Sequence, residues 1–268
     1  MTGQSAQLDT VVVVDDGSRD GTMALLEAHR TVLPLVVVGP RRLPGDVASL
    51  HGRIGSAFRT GLDELAPQDD DVVLFADQDD VWERDRVERH LERLSHGHAA
   101  TAASARCIDG QGQQLPVTLT DVYPRPERWE DLTPAERLRE TLVTPLATGA
   151  AMAVTGELVN RTPPVPAGWL HDRWYSLAAA ATASLDLDPR PVLRYRLHDG
   201  QAVGATGSGA RAARSRAVAW CRRPTDVARR LRSLHRLRAV SPDTARRDAL
   251  TYRSLVAELA RPRKWGVS

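Results

Sequence analysis

Lysine is almost missing from this sequence: Lys264 stands alone among 36 basic residues, and the rest are arginine. A genome rich in G and C explains that bias without a functional cause. Cysteine is scarce as well. Cys107 and Cys221 lie far apart and outside any CxxC or Cys/His spacing, which excludes a disulfide scaffold and a zinc site. Long apolar runs are missing: no window approaches the roughly 18 residues of a membrane span. The first ten residues, MTGQSAQLDT, carry neither a basic start nor an apolar stretch, so no signal peptide is expected there. The chain reads as cytoplasmic with two reduced thiols. Charge of one sign is lacking too. A formal net charge of +2 creates no global field for nucleic acid. No internal repeat is present.

What is there alternates. Leu8 to Val14 is a β-branched run, the pattern of a buried parallel strand, and it stops at Asp15 and Asp16. Thr22 to Arg30 reads as a helix entered through a Gly/Ser/Asp turn, and Leu35 to Val38 as a second strand. Ile54, Phe58, Leu62 and Leu65 share one face of a helix. Val72 to Ala76 is a third strand ending at Asp77, and Arg84 to Leu94 an amphipathic helix. Strand and helix in alternation predict an α/β domain with a mostly parallel sheet. Beyond it, Ala99 to Ile108 is a candidate strand, Ala135 to Val143 a short helix, Leu170 to Leu185 an alanine-rich helix and Val192 to Tyr195 a last strand. Ala202 to Ala210 has linker composition. Arg211 to Arg261 is helical and arginine-rich.

Ligands of open α/β sheets bind at the carboxyl ends of the strands. Two strands here end in carboxylates, at Asp15-Asp16 and at Asp77-Gln78-Asp79-Asp80. Such ends can share a divalent cation, which can neutralise a diphosphate. An acidic pair after a strand is also the composition of a solvated turn.

The segment VVVVDDGSRDGT closely resembles the DDGSxDGT segment of family 2 glycosyltransferases, and VVLFADQDDVW resembles that family's DxD segment in its rhamnosyltransferase-like form. TGAAMAVTGEL, HDRWYSLAA and VLRYRLHDGQAVGA resemble its later blocks, in the family's order. The resemblance covers about residues 8 to 206. It implies a GT-A (Rossmann-like) domain over 1–206, followed over 207–268 by a linker and a basic helical tail. It implies an inverting transfer from a nucleotide-sugar donor, with dTDP-rhamnose as one candidate, to a saccharide or lipid-linked acceptor. By the same resemblance Asp16 contacts the donor's base, Asp77 lies near its ribose, and Asp79 binds Mg or Mn. His198 lies near the metal or diphosphate, and Thr148 and Gly149 line the acceptor side. Asp172 is the candidate general base, and Trp174 and Tyr175 face the acceptor sugar. Each role has a structural alternative. Asp79 and Asp172 can cap the helices that follow them, His198 can be a structural histidine, Thr148-Gly149 a tight turn, and Trp174 with Tyr175 core packing.

Two departures follow from the resemblance. The family begins with a strand and helix before the DDGS strand, and here only Met1 to Gln7 precede Leu8. A start placed too far downstream is the expected reason. A sheet without that strand leaves buried ladder groups unpaired, at about 1–3 kcal/mol each. At Gln201 the family commonly has asparagine. The arginine-rich C-terminal segment has three readings: a helix on anionic lipid at the inner membrane face, a helix packed on the domain with a solvated basic face, and, third, a nucleic-acid site. No aromatic platform accompanies the arginines, so nucleic acid is not expected. Two other functions compete. One is a truncated relic or sugar-nucleotide-binding module without turnover. The other is a haloacid dehalogenase-type phosphatase with Asp77 as nucleophile, which needs a later core lysine that Lys264 does not supply.

Overall fold

Four consecutive valines crowd a helix but suit an extended chain, and they form β1 (Val11–Val14). After α1 (Thr22–His29), β2 (Leu35–Val38) lies parallel to β1, with Val11 opposite Leu35 and Val14 opposite Val38. The computed structural model describes residues 1–44, 46–126, 128–182, 184–197, 224–241 and 244–260. α2 (Leu50–Leu65) starts at Ser49, whose Oγ accepts the Gly52 N–H at 3.0 Å, and it ends at Ala66 in the left-handed conformation.

The second sheet carries β3 (Val72–Leu74), β4 (Val81–Trp82), β5 (Ala100–Ile108), β6 (Gln114–Thr118), β7 (Met152–Thr155) and β8 (Leu185–Arg196). Its order is β3-β7-β5-β8-β4, with β6 also paired to β5. Helices α3 (Arg86–Ser95), α4 (Leu119–Val122), α5 (Pro134–Val143), α6 (Gly156–Arg161) and α7 (His171–Ala181) flank it. The α/β class is as expected, but the sheet is mixed. Among the described residues only β1–β2 and β5–β8 pair in parallel; β3–β7, β5–β7, β4–β8 and β5–β6 are antiparallel. Parallel neighbours need crossovers of a dozen residues or more. The alternation read in the first hundred residues supplies one such crossover within a sheet, at α1. Among the described residues no ladder joins β1 to β3, so β1 and β2 form a sheet of their own.

Several boundaries move, among them the start of the first strand, which is Val11 rather than Leu8. The alanine-rich helix stops at Ala181 rather than Leu185, because Thr182 turns the chain and its hydroxyl bonds back to the Ala179 carbonyl at 3.0 Å. The last strand begins at Leu185, seven residues before Val192. The third strand stops at Leu74 rather than Ala76.

The core lies between the second sheet and α5, α6 and α7, around Leu138, Leu146, Met152, Trp174 and Leu177. Leu234, Leu237, Leu250 and Leu255 join the same cluster. They come from α8 (Pro224–Arg236), the turn after it, the residue that follows α9 (Thr244–Ala249), and α10 (Tyr252–Ala260). Each buried leucine contributes about 1.5–3 kcal/mol. The apolar side of α8 is therefore occupied by protein, while Arg232 and Arg236 stay exposed. No helix among the described residues is long and apolar enough to cross a membrane.

Candidate functional site

Because β3 and β4 stand at opposite ends of the second sheet, the segment between them must cross it. Four strand spacings are about 19 Å. The seven residue steps from Leu74 to Val81 reach about 23 Å when extended. Phe75 to Asp80 is thus long enough to bridge from β3 to β4, with a turn at Gln78 and Asp79 on the way. It is tied down at both sides: the Phe75 N–H donates to the Met152 carbonyl at 3.2 Å, and the Arg196 N–H to Asp80 Oδ1 at 2.9 Å. Arg196 Nε also donates to the Asp79 carbonyl at 2.8 Å.

The bridge carries Asp77, Asp79 and Asp80 into a poorly solvated place. Burial, with the charges of Asp172 and Asp79, pushes Asp77 up to about 6. Burial also pushes Asp80 up to about 7, helped by Asp77 and Asp79 and opposed by the Arg196 N–H. Asp80 Oδ2 is buried without a partner. Beneath the bridge lies Arg86, whose Nη2 donates to the Phe75 carbonyl at 2.7 Å and whose guanidinium sits 3.8 Å from the Trp82 ring centre. Arg86 Nε and Nη1 are also buried and unpartnered. Its charge is the nearest compensation for the two carboxylates.

Asp172 stands in the first turn of α7. Its Oδ2 accepts the Gly149 N–H at 3.0 Å and its Oδ1 the Arg173 N–H at 2.6 Å. Burial raises its pKa, against the pull of those two bonds. The helix's N-cap is Leu170, so Asp172 does not cap it in the simple sense; it clamps the loop that ends at Thr148 and Gly149. His171, missed in the sequence, completes the clamp. It stacks on Phe58 at 3.4 Å between ring centres and meets Phe75 edge-on at 4.6 Å. Both its ring nitrogens are buried without partners, and burial lowers its pKa to about 3, so it is neutral. A side chain at position 149 would begin 2.3 Å from His171 Nε2, which requires glycine there.

The expected residues do not all converge. Asp77 and Asp172, 95 positions apart, feel each other's charge. Asp16 sits instead at the end of β1 and pairs with Arg42, a partner the sequence did not announce. Its neighbour Asp15 closes the local turn. The Ser18 hydroxyl, with the Ser18 and Gly17 N–H groups, holds that carboxyl below the usual range. Trp174 must be corrected. It is fully buried, its Nε1 donates to the Pro163 carbonyl at 2.7 Å, and it packs edge-on against Trp169, so it cannot face an acceptor. Tyr175 is buried as well. Thr148 is half-buried at the start of the Gly149–Ala151 turn. His198, like Gln201 and the Ala202 to Ala210 stretch, lies outside the described residues.

Oxygen-only donors suit a hard cation such as Mg or Mn. The orphaned Asp80 Oδ2 and the raised Asp77 mark a segment short of positive charge. The chemistry fits such an ion. Among the described residues, however, no three His, Cys, Asp or Glu side chains group closely enough to hold one. A cavity of about 540 Å³ opens beside the bridge, lined by Asp77, Asp80, Trp82, Arg84 and Arg194 and by residues 1–4.

A family model described as glycosyl transferase family 2 matches residues 2–161. The dTDP-rhamnosyl transferase RfbG of Shigella flexneri is 21% identical over 206 residues, which cover 73% of this chain and 65% of that protein. The chain thus spans under two thirds of this relative's length. Among solved structures, S. aureus TarS 1-349 in complex with UDP is 14% identical, with 93% of this chain and 78% of that chain covered and a TM-score of 0.44. S. aureus TarS matches with the same identity over 47% of its length, with a TM-score of 0.46.

Proposed function

The chain belongs to glycosyl transferase family 2, and on that premise we propose that it moves a sugar from a nucleotide-diphosphate donor to a saccharide or lipid-linked acceptor in cell-surface polysaccharide synthesis. The relative's name makes dTDP-rhamnose the first donor to test. The observation that carries the reading is that Asp172, anchored by the Gly149 N–H, lies within electrostatic reach of Asp77, whose pKa its charge helps to raise. Asp172 would take the acceptor hydroxyl's proton as that oxygen attacks the anomeric carbon. A carboxylate raised by burial is the stronger base for it. The N–H groups of Gly149 and Arg173 hold it in one orientation. Asp77 would face the donor, and Asp79 would hold Mg or Mn, whose charge offsets that of the departing diphosphate. Asp16 would reach the donor's base once Arg42 moves aside.

Two features favour the second reading, a binding module without turnover. Arg42 occupies Asp16, and among the described residues β1 is not laddered to β3. A hydrolysis screen of nucleotide sugars with Mn separates the two. Turnover is expected, with Asp172→Asn abolishing transfer while calorimetry still detects the donor. Loss of donor binding in that variant would assign Asp172 to structure alone. The lipid-surface role of the arginine-rich segment enters this proposal only as electrostatic contact through Arg232 and Arg236. Leu231 and Leu234 of α8, on the face that would enter a bilayer, pack in the core instead.

A further inference from the structure

The arginines around β4 and β8 divide into two groups. Arg106 pairs with Glu83 at 2.9 Å. Arg196 donates to the carbonyls of Asp79 and Asp109, and Arg86 is buried under the bridge. Each of these has a job in holding the sheet edge together. Arg84 and Arg194 have none: both are exposed, and among the described residues neither guanidinium forms a hydrogen bond or an ion pair. Both line the cavity beside Asp80, Arg84 from the turn after β4 and Arg194 from β8, where its Cα is registered with Val81. Two idle guanidinium groups on one cavity present forked N–H donors that match phosphate oxygens.

Their position selects which substrate's phosphate. The bridge runs from the end of β3 to the start of β4. α2 packs on β1 and meets Phe75 through Phe58, so β1 with Asp16 lies towards the β3 end. Arg84 and Arg194 stand at the β4–β8 end, beyond Asp80. Asp77, Asp80 and Glu83 line the same cavity, so a donor with its base at Asp16 and its diphosphate at Asp77 and Asp79 would reach its near side and leave the far side, at Arg84 and Arg194, to the other substrate. We infer that Arg84 and Arg194 form an anion-binding rim that receives a phosphate group carried by the acceptor. The inference rests on the glycosyl-transfer reading for the word acceptor, and on the cavity's own chemistry for the phosphate.

The test uses the full chain with Arg84→Gln, Arg194→Gln and the double variant. Binding of inorganic phosphate, a soluble sugar 1-phosphate and micellar decyl phosphate is followed by calorimetry, and hydrolysis of dTDP-rhamnose in parallel. The double variant should bind the phosphate probes about tenfold more weakly or worse, each single variant by a smaller factor. The KM for donor hydrolysis should stay within about twofold, since the donor would sit at the Asp77 side of the cavity and not at its arginine rim. Preference for the sugar phosphate or for the alkyl phosphate tells whether the acceptor is soluble or lipid-borne. Unchanged phosphate affinity in the double variant overturns the inference, as does a donor KM that rises in step with the loss. Arginine-dependent phosphate binding without hydrolysis of any nucleotide sugar would sink the proposed reaction and leave the rim standing.

Discussion

β1 and β5 are both runs of small or branched apolar residues, yet they end in different circumstances. All four valines of β1 are only half-buried, and α1 beside them buries no residue. Met23, Leu25 and Val32 are exposed there. β5 buries eight of its nine residues, and α7 nine of eleven. The difference lies in neighbours. β5 has β8 along one edge and β7 and β6 along the other, whereas among the described residues β1 is laddered only to β2. A strand's burial is thus set by what flanks it rather than by its own apolarity. The candidate site straddles the two regions. Asp77 and Asp172 stand on the firm one, Asp16 on the loose one.

If the firm region owes its order to long-range partners, removing one should be costly. Arg89 donates to both carboxylate oxygens of Asp188, at 2.7 and 2.9 Å, and both side chains are buried. Asp188→Ala leaves that guanidinium without its counter-charge and should lower stability by about 3–5 kcal/mol. Denaturant unfolding measures it, and a loss below about 1 kcal/mol would dissolve the contrast. The next largest effect should come from the C-terminal helices. Leu250 is fully buried in the main cluster, so Leu250→Ala should cost about 2–4 kcal/mol if those helices belong to the firm region. A surface-like cost of a few tenths would detach them from it.

The bridge makes the third prediction. Asp77 and Asp80 are raised in the folded chain, to about 6 and about 7. Protons bind them more tightly in the folded state than in the unfolded one. Their contribution is therefore fully present below about pH 4 and lost as pH rises through about 7. Thermal stability should fall over that window, and Asp80→Asn should flatten the fall by on the order of 2 kcal/mol. A pH profile as steep in the variant as in the parent would show that the carboxylates are better solvated than their burial implies.

Much of this was legible locally. The valines before Asp15-Asp16 and the apolar run before Asp77 announced strand ends with carboxylates, and the short helix read from Ala135 is there, behind a capping box of Thr133 and Glu136. What was hidden depended on distant partners. Asp186 and Asp188 look like a polar loop. They are buried strand residues only because Arg93 and Arg89 reach them across more than 90 positions. Val81–Trp82 is too short to stand out as a strand and exists because β8 offers it an edge. Trp174 carries no sign of which way it points. His171 could have been suspected from its place beside Asp172, but its aromatic sandwich comes from Phe58 and Phe75, elements apart.

The smallest expected effect lies in the loose region and probes it most directly. Val13 is half-buried in β1, opposite Val37. Shortening it removes two methyl groups that water already partly reaches, so Val13→Ala should cost about 1 kcal/mol or less, under the price of a core truncation. Hydrogen exchange should separate the regions even without a substitution. Amides of β1 and β2 should open well below the free energy of global unfolding, those of β5 and β8 near it. A nucleotide that engages Asp16 would bind only the ordered form, and should therefore slow exchange in β1 and leave β5 unchanged. Protection of β1 equal to that of β5 in the free protein would mean that something other than ladder partners holds it, and the contrast between the two strands would lose its cause.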